Sequence, residues 1–277
     1  MRGSKRGHYL PVTRPLKTPN IFLFLDYDGT LVSIKKRPEL ALLHASKKKI
    51  LKDLNEKYFL AIVTGRALKD IKAMVGTQNA AYIGNHGLEI FFQGKHWVHP
   101  QARKISITLK NCLKILKTRI QSLPGVRIED KTLTASIHYR AMAANTKFIL
   151  KALILKEITA AKGLLKSTDG KKVFEIRPNI EWDKGRGIQH LLQWIPRSAN
   201  KLKIYVGDDM TDEDAFKIFN QNDMTIRVGS GKKTRAFYRF KTVGHVWKFL
   251  SILSGFDLQQ PKDTAARMNR NLKRDAG

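Results

Sequence analysis

The stretch Leu25-Asp26-Tyr27-Asp28-Gly29-Thr30-Leu31 follows the apolar run Ile21 to Phe24, so two acids end what reads as a buried strand. Strand side chains alternate with a period of two, which points Asp26 and Asp28 to the same side, and Gly29-Thr30 turns the chain just beyond them. Both carboxylates can then converge on one cation and one substrate atom, and burying them there calls for such a cation. A plain hairpin competes, because Asp-Gly between apolar residues is a common turn. The hairpin leaves unexplained Thr64, Lys184 and the acidic run Gly207-Asp208-Asp209-Met210-Thr211-Asp212, each at or just after another apolar, strand-like run.

Outward from that stretch, apolar runs alternate with amphipathic helical segments. Strands are expected at Ile21–Leu25, Phe59–Val63 and Ala80–Ile83, with helices near Ser46–Lys57 and Leu68–Val75. The rhythm returns late, with helices at Gly185–Trp194, Asp212–Phe219 and Val243–Leu253 around strands at Leu202–Val206 and Met224–Val228. This pattern predicts an α/β fold with a doubly wound parallel sheet. Ligands of such sheets lie outside the carboxyl ends of the strands, where Asp26, Thr64 and Asp208 fall.

Between these halves the pattern changes to helix (Lys104–Ser122), two strands (Val126–Glu129, Leu133–Tyr139), helix (Asn145–Lys162) and two more strands (Leu164–Ser167, Lys172–Arg177). The expected division is a core over 20–99 and 181–255, an inserted α+β unit over 100–180, and flexible basic tails over 1–19 and 256–277.

The 277 residues, 42% hydrophobic, suffice for one large or two modest domains with a packed core. No apolar run approaches the ~20 residues of a membrane span, and the basic start lacks the apolar stretch of a secretion signal, so a cytoplasmic protein is expected. The single Cys112 lies among Leu109, Leu113 and Leu116 at helical spacing and reads as a core thiol. The net charge of +29 would steer phosphorylated substrates inward, and it attracts nucleic acid or anionic lipid without specificity. Its lysines mostly flank apolar helical stripes, and no zinc, basic-zipper or RNA-stacking motif accompanies them, so no specific nucleic-acid partner is expected.

Asp26 and Asp28, Thr64, Lys184 and Asp208, in that order, resemble the haloacid-dehalogenase-like superfamily of aspartyl-phosphate phosphatases. Thr64-Gly65-Arg66, Gly84-Asn85-His86-Gly87-Leu88-Glu89, Glu129-Asp130-Lys131, His138-Tyr139-Arg140, Glu175-Ile176-Arg177-Pro178, Asp183-Lys184-Gly185 and Gly207-Asp208-Asp209-Met210-Thr211-Asp212-Glu213-Asp214-Ala215-Phe216 resemble, more narrowly, the trehalose-6-phosphate phosphatases. These motifs reach from about Ile21 to Leu253.

The resemblance implies that Asp26 is the nucleophile and Asp28 the acid/base, with Thr64 holding phosphate and Lys184 neutralising it. It also implies a Mg2+ site built from Asp26, Asp28 and Asp208, with Asp209 beside them and Asp212 in support. The inserted unit becomes a cap on which Glu129, Lys131, Glu175 and Arg177 contact the sugar; Arg66, Asn85 and His86 join them from the core edge. Without the resemblance, these cap residues read as solvent-facing strand charges and Lys184 as a surface lysine. Asp212, Glu213 and Asp214 read equally well as acids that complement a helix start. The Asn85–Gly87 segment reads equally as a hydrogen-bonded turn. His138 and Arg140 read as structural.

The expected reaction is magnesium-dependent hydrolysis of trehalose 6-phosphate, the last step of trehalose biosynthesis. The nearest alternatives are phosphatases of sucrose phosphate or mannosylphosphoglycerate; a basic nucleic-acid-associated protein is the remote one. A monomer is expected, without a fused synthase, so that a separate trehalose-6-phosphate synthase would supply the substrate.

Overall fold

The computed structural model describes residues 8–10, 20–35, 37–143, 146–170, 172–196, 201–231 and 233–255. In chain order its first elements are β1 (His8–Tyr9), β2 (Ile21–Leu25), α1 (Ala45–Lys57), β3 (Phe59–Val63), α2 (Leu68–Val75) and β4 (Ala81–Gly84). Then come β5 (Glu89–Phe92), β6 (Lys95–Val98), α3 (Pro100–Arg119), β7 (Arg127–Asp130), β8 (Ala135–His138) and α4 (Lys147–Ala160). The last are β9 (Leu165–Gly170), β10 (Val173–Pro178), α5 (Lys184–Leu192), β11 (Leu202–Gly207), α6 (Met210–Phe216), β12 (Met224–Val228), β13 (Tyr238–Phe240) and α7 (Val243–Ser254).

Among the described residues, one sheet has nine strands in the order β1-β13-β12-β11-β2-β3-β4-β5-β6. From β1 to β4 all neighbours are parallel. β2 lies in the middle with every residue buried, and its alternation serves two cores. Ile21, Leu23 and Leu25 pack with Ile50, Leu51 and Leu54 of α1 and with Val246 and Leu250 of α7. Phe22 and Phe24 turn the other way, toward Ile188 and Leu191 of α5 and Phe216 of α6. The sheet is thus wound on both faces, as the uninterrupted apolar runs predict. Replacing a fully buried residue such as Leu23 by Ala would cost about 2–5 kcal/mol.

The Asp-Gly hairpin does not form, because the neighbours of β2 are the distant parallel strands β11 and β3. Four strands were not expected. β5 and β6 extend the sheet antiparallel to β4 through a turn in which Gln93 and Gly94 both take positive φ (48° and 77°). At the other edge β13 pairs with β12, and His8–Tyr9 pairs in turn with Tyr238–Arg239. Part of the expected basic tail 1–19 is therefore an edge strand, satisfying main-chain groups that β13 would otherwise expose. The tail 256–277 lies outside the described residues.

The second sheet, β7-β8-β10-β9, is antiparallel throughout. One face packs Ala135, Ile137, Phe174 and Ile176 under Leu109, Leu113 and Leu116 of α3 and Leu150 and Ile154 of α4. Cys112 joins this core, and burial pushes its thiol up to about 11. The opposite face carries Glu129, Ser136 and Glu175, aligned across three strands by the register Glu129↔Ser136 and Ser136↔Glu175. That face lines a cavity of about 880 Å³ whose other wall is the carboxyl edge of the large sheet.

Candidate active site

Asp26 follows the last residue of β2, and its amide donates to Val206 O of β11, which locks the carboxylate at the sheet edge. The chain then reverses: Leu31 N and Val32 N donate to Tyr27 O, and Gly29 takes φ +86°. A Cβ at Gly29 would also lie 2.2 Å from Asp208 Oδ2, so glycine admits both the turn and the approach of Asp208. Tyr27 O–H donates to Ala41 O and Trp247 Nε1–H to Leu31 O, which pins the loop from both sides.

Lys184 opens α5, and its buried ammonium donates to Asp26 Oδ1 at 2.8 Å and to Asp212 Oδ1 at 2.7 Å. Burial disfavours its charge, but Asp212 and Asp26 outweigh that and hold its pKa above the usual lysine value. Asp212 is saturated. Its Oδ1 also accepts from Tyr205 O–H at 2.6 Å, and its Oδ2 accepts from the amides of Asp208 and Asp209 at 2.9 and 2.8 Å. Tyr205 was not expected from sequence; its place in the apolar run Ile204–Val206 gave no sign of a polar duty.

Carboxylate oxygens of Asp26, Asp208 and Asp212 lie within 4.8 Å of one another. Burial, opposed by Lys184 and reinforced by Asp212 and Asp208, raises the Asp26 pKa well above its usual value. Asp26 Oδ2 is buried and has no hydrogen-bond partner. An orphaned carboxylate oxygen beside another acid fits a hard divalent cation that takes oxygen ligands, and the donor set suits one. Asp209 is outside that cluster. Its carboxylate caps α6, accepting from Met210 N at 2.6 Å, with Asp212 completing a capping box. The helix start needs that cap, and Asp212 spends its own oxygens on Lys184, Tyr205 and the amides of Asp208 and Asp209.

The Asp28 carboxylate is gripped by Arg66, with Nε at 2.6 Å from Oδ2 and Nη2 at 2.7 Å from Oδ1. Arg66 was expected at the substrate; it does line the cavity, but its fork faces the expected acid/base. Thr64 follows β3, buried, and accepts at Oγ1 from Arg66 N at 3.2 Å.

On the second sheet, Glu175 accepts from Ser136 O–H at 2.6 Å and from Lys131 Nζ at 3.2 Å. Burial opposes its charge, but Lys131, His86 and Arg177 hold the carboxyl below its usual range. Lys131 also donates to Gly65 O at 3.0 Å, joining this sheet to the loop that carries Thr64. Glu129 pairs with His138 Nε2 at 2.7 Å, giving His138 the structural part expected of it. Ser136 was missed; its alternation with Ala135 and Ile137 was the available signal.

His86 lines the cavity from a loop in which Asn85, His86 and Gly87 all take positive φ. Both ring nitrogens are buried without a hydrogen-bond partner, Glu175 Oε2 lying 3.9 Å away. Asn85 is not at the cavity. Fully buried, it donates to Glu89 and Lys131 O and accepts from Thr134 O–H at 2.8 Å, so the hydrogen-bonded turn describes it and the substrate contact does not.

A parallel sheet ending in an acid at each of two neighbouring strands, a buried lysine bound to the first of them and to Asp212, and a second sheet facing them define a haloacid-dehalogenase-like hydrolase fold. A haloacid dehalogenase-like hydrolase from Bacteroides thetaiotaomicron shares this fold with a TM-score of 0.57 at 14% identity, covering 82% of this chain and 96% of its own. A solved trehalose-6-phosphate phosphatase related protein reaches a TM-score of 0.76 at 27% identity, over 84% of this chain and 97% of its own. The trehalose-phosphatase family model matches residues 24–243. Trehalose-phosphate phosphatase B of Arabidopsis thaliana is 30% identical over 256 residues, 87% of this chain and 68% of that protein. The trehalose-phosphate phosphatase of Mycobacterium ulcerans (strain Agy99) is 32% identical over 246 residues, 86% of this chain and 63% of that protein. The chain belongs to the trehalose-phosphatase family and is a phosphoric monoester hydrolase. Among its described residues no helix is long and apolar enough to cross a membrane.

Proposed function

We propose that the chain hydrolyses trehalose 6-phosphate to trehalose and phosphate through a phosphoryl group carried on Asp26. The observation that carries this is one cavity holding both halves of the task. Asp26, with an unengaged Oδ2 beside Lys184, stands at one wall, and the polar row Glu129, Ser136, Glu175 stands at the other. A monoester phosphate and a polyhydroxyl sugar are the two parts such walls accept.

Lys184 and the Thr64 hydroxyl bind phosphoryl oxygens and orient phosphorus toward Asp26. The Asp26 carboxylate attacks in line, forming the Asp26 O–P bond as the bond to the sugar oxygen breaks. Asp28 gives its proton to that oxygen, so trehalose leaves as the neutral alcohol. Asp28 then takes a proton from water, which attacks phosphorus and returns Asp26 to its carboxylate with release of phosphate. A magnesium ion held by Asp26, the main-chain carbonyl of Asp28 and Asp208 would offset the repulsion between nucleophile and phosphate dianion. We propose that the inserted unit over 100–180 acts as the cap, with Glu129, Lys131, Glu175 and Arg177 selecting the sugar.

Phosphate release from trehalose 6-phosphate, sucrose 6-phosphate and mannosylphosphoglycerate, with and without Mg2+, tests the proposal. The highest kcat/KM is expected for trehalose 6-phosphate in the presence of the ion. A clear preference for another of the three would overturn the assignment.

A further inference from the structure

The outer faces of α3 and α4 combine two features that seldom coincide without a partner. α3 carries Arg103, Lys104, Lys110, Lys114, Lys117 and Arg119 and no carboxylate. α4 adds Lys147, Lys151 and Lys156, and its one acid, Glu157, is buried and held by Arg119 at 2.6 Å. Among the described carboxylates Asp169 also faces this region, 3.8 Å from Lys151. Between these cations, Phe148 is 71% exposed, Ile107 69%, Leu155 47% and Ile115 43%.

Helical geometry gathers these side chains. Phe148 and Leu155 are two turns apart and so lie along one line of α4, whereas Ile107 and Ile115, eight residues apart, are offset by about 80° around α3 and both stay on its exposed side. The inner faces of both helices are spent on the sheet, through Leu109, Leu113, Leu116, Leu150 and Ile154. The Arg119–Glu157 pair joins the last turns of the two helices, which sets Ile115 and Leu155 at a similar height. Single exposed apolar residues are ordinary, whereas a bulky set interleaved with cations suits a surface that is both apolar and anionic.

We propose that the α3–α4 face docks on a bilayer bearing anionic phospholipids. Its lysines and arginines would lie at the headgroups, and Ile107, Ile115, Phe148 and Leu155 would enter the boundary with the acyl chains. A nucleic acid answers the charge alone, since a phosphate backbone offers Phe148 and Leu155 nothing apolar to enter. None of the four apolar residues lines the cavity, which lies against the opposite face of the same sheet. Docking therefore leaves the catalytic wall untouched.

Co-sedimentation of the full chain with phosphatidylglycerol–phosphatidylcholine vesicles, at about 0.15 M salt to screen long-range charge, tests this. The wild type is expected on the anionic vesicles and not on pure phosphatidylcholine. The triple variant Ile107→Ser/Phe148→Ser/Leu155→Ser should bind about tenfold more weakly, as should Lys110→Gln/Lys114→Gln/Lys151→Gln. The charge-matched control Lys48→Gln/Lys52→Gln/Lys69→Gln, on α1 and α2, should bind within about twofold of wild type. All should keep wild-type hydrolysis of an aryl phosphate, which certifies their fold. As a second measure, an environment-sensitive dye on Phe148→Cys, with Cys112 buried, should shift to the blue on anionic vesicles alone. The proposal is overturned if wild type ignores anionic vesicles, if the α1–α2 control loses as much as the α3–α4 charge variant, or if the apolar variant binds as wild type. It is equally overturned if the dye does not shift, or if duplex RNA binds more tightly than the vesicles and loses affinity with the apolar variant.

Discussion

Arg66 holds Asp28 by both arms of its fork, Nε donating to Oδ2 at 2.6 Å and Nη2 to Oδ1 at 2.7 Å. The pair bridges β3 and β2, fixing the proposed acid/base relative to the loop that carries Thr64. A lysine could offer a charge there but not the two parallel bonds. Arg66→Lys should therefore lower kcat on trehalose 6-phosphate by about ten- to a hundredfold, the scale of a misplaced catalytic group. An aryl phosphate, whose leaving group needs no proton, should be affected far less. Equal losses on both substrates would show that Arg66 serves phosphate binding and not the placement of Asp28.

Asp26→Asn keeps the shape of the side chain but can neither attack phosphorus nor attract a cation as an anion. Turnover should disappear while the thermal midpoint stays near that of wild type, because Lys184 keeps its bond to Asp212 and the neutral amide can still accept from it. Retention of even about a tenth of wild-type kcat would end the nucleophile assignment.

Removal of divalent ions with a chelator should abolish phosphate release, and Mg2+ should restore it. Asp208→Ala should resemble the chelated enzyme and be partly rescued by excess Mg2+, whereas Asp209→Asn should cost about 1 kcal/mol or less of stability, since Asn also caps helices. Loss of Mg2+ affinity in Asp209→Asn equal to that in Asp208→Ala, read by titration calorimetry, would return Asp209 to the metal.

Glu175→Gln and Arg177→Ala should separate sugar recognition from phosphoryl chemistry. Each should depress kcat/KM for trehalose 6-phosphate by about a hundredfold, the effect of leaving buried polar groups without partners, and leave aryl phosphate hydrolysis nearly intact. Parallel losses on both substrates would mean that these residues support the fold of the insert.

Burial and the neighbouring Arg177, opposed by Glu175, hold the His86 pKa well below 6.5, so the native ring stays neutral. As pH falls below about 6.5 the unfolded chain binds a proton there that the native chain refuses. Stability is lost by up to about 1.4 kcal/mol per pH unit from this group. Glu175, whose pKa is lowered, contributes stability above 4.5 that is lost as pH falls through and below that value. His86→Asn tolerates the positive φ and removes the titration, so its urea midpoint should fall less between pH 6.5 and 5 than that of wild type. Identical slopes would contradict a neutral, buried His86.

The parallel core was legible because β2 and β3 are short and apolar on both faces, β11 and β12 are short and mostly apolar, and amphipathic helices separate them. β5 and β6 were not, since Glu89–Val98 mixes charge with aromatics and its turn is Gln-Gly instead of a more familiar Asn-Gly. The strand-end acids stood out by position. What they touch did not: Arg66 and Asp28 are 38 residues apart, and Tyr205 meets Asp212 only once the strand and α6 are in place. Local pattern fixes which face a residue takes, whereas a hydrogen-bond partner depends on the whole tertiary path.

The insert's central strands divide their labour strictly by parity: Phe174 and Ile176 belong to the packed layer, and Val173, Glu175 and Arg177 to the cavity. Natural selection can therefore alter the second set while the first keeps the insert folded. A lineage could reshape the cavity wall through a few alternate-position substitutions, each passing through a stable protein, with the strand-end acids of the large sheet inherited unchanged.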